Sequence, residues 1–133
     1  MRAAGERDLG LVGAQRRLLA ATGVDTDAEL ALFEADHGAP RRAVALGRRA
    51  WAAAPSVRSA DALGWALTRA GRPRAGLRWA RRALALGSRD PSFMAHAGLA
   101  ARAAGDGETA RRLLAAASRS PALPPLLRRE VER

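Results

Sequence analysis

The sequence predicts an all-α fold, a stack of antiparallel helical hairpins, and three observations predict it. Leu63-Gly64 … Gly71 returns 34 residues later as Ala97-Gly98 … Gly105, and a weaker copy, Leu30-Ala31 … Gly38, precedes both. A period of this length holding two helices marks a stacked helical repeat. The apolar share, 48% of 133 residues, is mostly Ala and Leu, with three Trp and two Phe. Ala and Leu are strong helix formers, and β-branched residues are scarce. The periodic stretches also end at Gly and restart at Pro or a short polar residue, the punctuation of helix ends.

The elements follow in order. Residues 6–22 carry Leu11, Ala14, Leu18 and Leu19 on one stripe and predict a first helix. Gly23 is its stop. Thr26-Asp27-Ala28-Glu29 matches a capping box and opens a helix to Asp36. Gly38 supplies the turn, and Pro40 opens a helix to Ala53, ended by Pro55. Ser56 caps Val57 to Ala70. Gly71 ends that helix, and Pro73 opens the next, to about Leu86, with Gly87 as stop. Asp90-Pro91 is an N-cap with proline at the first helical position. That helix reaches Ala104, and Gly105 terminates it. Asp106 caps the following helix, which ends before Pro121. A short helix, Leu126 to Glu132, closes the chain.

The small residues at fixed places resemble the tetratricopeptide repeat family. The middle copy has Leu63-Gly64, Gly71, Gly76, Ala83 and Leu84. The last has Ala97-Gly98, Gly105, Ala110, Ala117 and Pro121, and the first has Leu30-Ala31, Gly38, Ala43, Ala50 and Pro55. Small side chains there let paired helices approach closely, where bulk would force them apart. Ala60, Leu67 and Ala80 stand where the family carries aromatics, and Glu34 takes an apolar place. The resemblance implies a right-handed α-solenoid of about three repeats, 24–56, 57–90 and 91–122. Residues 1–23 are then a half-repeat or cap, and 123–133 a capping helix.

The resemblance also implies that the first helix of each repeat lines a concave groove. The groove residues are then Asp25, Leu32 and Asp36, followed by Arg58, Asp61, Trp65, Thr68 and Arg69, and by Leu99 and Arg102. Asp61 and Trp65 share a face, one turn apart. Trp65 is either a groove anchor or a packing residue between hairpins, whereas Trp51 and Trp79 read as packing residues. A protein or peptide partner is expected. The Lys, Arg and Asn set by which one subclass grips a C-terminal carboxylate is replaced here by Ala28, Leu32, Ala62, Ser92 and His96.

Charge and missing residue types narrow the function. The net charge is +10, and all 23 basic residues are Arg. Lys, Ile, Asn, Tyr and Cys are absent, the mark of a high-GC bacterial genome. Without Cys there is no disulfide, thiolate metal site or cysteine catalysis. His37 and His96 have no metal-ligand spacing, and Ser, His and Asp form no nucleophile context, so neither an enzyme nor a cofactor is expected. Arg41, Arg42, Arg48, Arg49, Arg74, Arg78, Arg81, Arg82, Arg111 and Arg112 fall on second helices. They form a basic back, either a solvated exterior or a surface for nucleic acid or another polyanion. No apolar run approaches the ~18 residues of a membrane span, and residues 1–13 lack a signal-peptide core. A cytoplasmic protein is expected, or an extracytoplasmic one if the chain is part of a longer protein with a sensor or regulatory role.

Overall fold

The structure, a computed structural model, describes residues 26–86 and 88–133. The expected helix over 6–22, Asp25 and the stop at Gly87 lie outside the described residues. Within them the fold is all-helical, with no strand. The helices are α1 (Thr26–Asp36), α2 (Pro40–Ala53), α3 (Val57–Arg69), α4 (Pro73–Ala85), α5 (Pro91–Ala103), α6 (Gly107–Ser118) and α7 (Pro125–Glu132). Their ends fall within one or two residues of the expected ones.

Local chemistry sets these ends. At α3, Ser56 Oγ accepts from the Ser59 N–H at 3.0 Å, and Ser59 Oγ accepts from the Ser56 N–H at 2.9 Å. This reciprocal cap satisfies two orphan donors. Asp90 accepts from the Ser92 N–H at 2.8 Å, and Asp106 from the Thr109 N–H at 3.1 Å. Gly71 and Gly105 take φ of 82° and 86°, where other residues are strained. The two turns are copies: Arg72 N–H donates to Leu67 O and Asp106 N–H to Ala101 O, both at 2.9 Å. The capping box expected at Thr26 is not formed. Thr26 already lies inside the helical range, and its buried Oγ1 has no hydrogen-bond partner among the described residues.

Three pairs, α1–α2, α3–α4 and α5–α6, pack most closely. Contacts between α2 and α3 and between α4 and α5 join one pair to the next. First helices also touch one another, α1 with α3 and α3 with α5, and α7 rests on α5 and α6. The two inner helices are therefore buried on nearly all sides, α3 from Ser59 to Leu67 and α5 from Ala95 to Ala101.

Small residues permit this closeness. A Cβ on Gly64 would lie 2.9 Å from both Ala80 N and Gly76 O, and one on Gly98 would lie 2.6 Å from Leu114 Cδ2. Ala80 and Leu114 are each sixteen places beyond their glycine, so the two crossings share one register. Gly47 makes the corresponding approach between pairs, with a hypothetical Cβ 2.9 Å from Leu63 Cα.

Candidate functional site

The first helices carry a connected polar cluster at their common face. Trp65 on α3 donates its Nε1–H to Asp36 Oδ1 on α1 at 2.8 Å. Its ring stacks on His96 of α5, with centroids 4.4 Å apart and planes 17° off parallel. His96 Nδ1 lies 2.8 Å from Asp61 Oδ1, with the carboxylate as acceptor. Trp65, His96 and Asp61 are 3%, 5% and 1% exposed. The Arg69 guanidinium sits 5.5 Å from the Trp65 ring centroid, and its Nε–H donates to Ala35 O at 3.3 Å. Three successive first helices are thus tied by side chains about one repeat apart.

One atom of the cluster is unsatisfied. Among the described residues, Asp61 Oδ2 is buried without a hydrogen-bond partner. Such a group loses its hydration and gains nothing in return, a cost of about 1–3 kcal/mol or more for a charged group.

Asp61 and His96 line a cavity of about 520 Å³. From α1 come Leu32 and Asp36, and from α3 Val57 and Arg58. Ser92 and Phe93 of α5 and the cap residue Asp90 form another side, while Pro124, Leu126 and Leu127 close it at α7. The Arg58 guanidinium is engaged by Glu29 Oε1 at 3.0 Å. The hollow thus has apolar walls and three aspartates. Among the described residues no three His, Cys, Asp or Glu side chains converge to hold a metal ion.

Nine of the ten residues expected in the groove divide into two sets. Leu32, Asp36, Arg58 and Asp61 line the main cavity. Trp65, Thr68, Arg69, Leu99 and Arg102 gather with Glu130 around a neighbouring depression of about 260 Å³. Asp25 lies outside the described residues. Trp65 and Leu99 are buried in a cluster with Ala35, Ala43 and Ala66, against which Leu127 and Val131 of α7 pack. Arg102 Nη2–H donates to Glu130 O at 3.2 Å and holds α7 in place. Thr68 donates to Gly64 O at 2.8 Å and stands against Gly76, so it also belongs to the α3–α4 crossing.

Sequence reasoning left His96, Asp90, Val57, Phe93 and the α7 leucines outside the site. The signal for His96 was its separation of 35 residues from Asp61, one repeat plus one position. That spacing sets both on neighbouring first helices, facing the same side.

The second helices present a different surface. Trp51 and Trp79, both half-buried, meet edge to face at 4.8 Å, and the Arg82 guanidinium lies 5.4 Å and 4.8 Å from their centroids. The ten arginines expected there are all exposed. Arg72, Arg74 and Arg78 border a separate hollow of about 480 Å³. Nearby, Asp106 is held below its ordinary carboxylate value, chiefly by the Thr109 hydroxyl and N–H and then by Arg81. Among the described residues no helix is long and apolar enough to cross a membrane. No protein-family model and no curated protein matches this chain.

Proposed function

We propose that this chain is a tetratricopeptide-like solenoid that holds a peptide or protein segment in its concave groove, without catalysis. In this reading the three helix pairs are right-handed repeats, the first helices form the inner wall, and α7 caps the stack. The observation that carries it is the cavity of about 520 Å³, lined by all three first helices and α7. That volume lies in the range of functional ligand sites, about 300–1,000 Å³. The repeated crossings at Gly64 and Gly98 support the solenoid. A peptide array tests the reading. The protein should retain a subset of peptides, and Ser92→Trp, which fills the cavity, should release them with its helical circular dichroism unchanged. Equal retention by both proteins contradicts the groove.

A second reading rests on the exposed arginines and the hollow at Arg72, Arg74 and Arg78. It makes the convex back a surface for nucleic acid or another polyanion. Phosphate contacts release counterions, so such binding falls steeply with salt. Peptide capture in an apolar-walled groove is far less sensitive. Salt titration of each kind of binding separates the two readings.

A further inference from the structure

We infer that the cavity between α1, α3, α5 and α7 selects a basic side chain, arginine or lysine, on the bound segment. This rests on the groove reading above and names the chemistry that the groove recognises. The first observation is Asp61: its carboxylate is 1% exposed, lines the cavity, and leaves Oδ2 without a partner. A buried carboxylate so placed is an acceptor awaiting a donor. The second is the surrounding charge. Asp36 and Asp90 also line the cavity, and Arg58, the one arginine among the described lining residues, is engaged by Glu29. Local sign is thus opposite to the +10 of the whole chain.

The shape suits such a ligand. Leu32, Val57, Phe93 and Leu126 offer apolar wall to an aliphatic stem, as long basic side chains require. Asp36 is exposed and meets the cation first. Asp61 acts from the floor, where low surrounding dielectric lengthens the reach of its charge. His96 engages Oδ1, and the enclosed Oδ2 gains its donor when the Asp61 side chain turns toward the bound cation. An apolar or acidic residue at the same place would leave that oxygen unmatched, so the site discriminates by penalty as well as by attraction.

The test uses arrayed acetylated short peptides in which only the central residue varies, at about pH 8, above the ordinary titration range of imidazole. Arginine or lysine at the centre should bind at least about tenfold more tightly than citrulline or leucine, the scale of a hydrogen bond to a charged group. Asp61→Asn keeps an acceptor for His96 but turns the Oδ2 position into a donor, and it should abolish the preference. Asp36→Asn, at an exposed position, should weaken the preference and serves if the Asp61 variant does not fold. Peptides retained with no basic preference, or a preference unchanged in the folded variants, overturn the inference and leave the groove reading standing. If no peptide is retained at all, the groove reading fails, and this inference with it.

Discussion

Two tryptophan sites teach opposite lessons about this protein. Trp65, on the first-helix side, is 3% exposed, hydrogen-bonded to Asp36 and stacked on a histidine from the next pair. Trp51 and Trp79, on the second-helix side, stay half-buried, meet each other edge to face and lie beside the Arg82 guanidinium. Both sites join one helix pair to its neighbour and both carry a guanidinium near an aromatic face. They differ in what surrounds them. The inner site adjoins a hollow with an unsatisfied carboxylate, whereas the outer one faces solvent among exposed arginines. Packing alone explains the outer site. It leaves the buried acceptor of the inner one unexplained, and that is the reason to place recognition there.

The comparison can be broken by substitution. Trp65→Ala should cost the most, about 3–5 kcal/mol, the range for deleting a buried aromatic. Trp79→Ala should cost about 1–2 kcal/mol, because part of its surface is already wet. Equal melting shifts would erase the distinction between the sites. Gly64→Leu should destabilise by about 1–3 kcal/mol or more through overpacking. Gly98→Leu should be milder, since its nearest neighbours are atoms of the Leu114 side chain, with the Leu114 backbone N farther away at 3.2 Å, whereas at Gly64 the backbone of α4 lies at 2.9 Å. Denaturant midpoints of the two glycine variants rank them, and the reverse order would contradict the crossing geometry.

The smallest effect is that of acid on the Asp106 cap. Its folded value lies below the ordinary 3.8, so its contribution is whole above that pH. It is lost as pH falls through the lowered value. Asp106→Asn keeps a capping acceptor without the titration, so the melting temperature of the variant should fall less between pH 4 and about pH 2.

Much of the fold was legible because helix ends are written locally. Gly71, Gly105, Pro73, Pro91, Ser56 and Asp106 act within a few residues of themselves, and the chain bends where they predict. The crossings at Gly64 and Gly98 were legible because a missing side chain repeated at a fixed interval has one simple cause. Thr26 misled, since a capping sequence does not say which residue begins the helix. The site was only half legible. Asp61 and Trp65 announced a shared face, but His96 joined them through contacts across repeats, which spacing within one helix does not reveal. The position of α7 against the cluster that holds Trp65 and Leu99 depends on how Leu127 and Val131 pack, and no local pattern encodes it.

The central claim is that the inner face recognises a ligand and the back does not. The three indole N–H groups report it directly in a proton–nitrogen correlation spectrum, assigned with Trp65→Phe, Trp51→Phe and Trp79→Phe variants. On titration with an array-selected peptide, the Trp65 signal should move while those of Trp51 and Trp79 stay in place. Movement of the Trp51 and Trp79 signals with Trp65 unmoved would contradict the account.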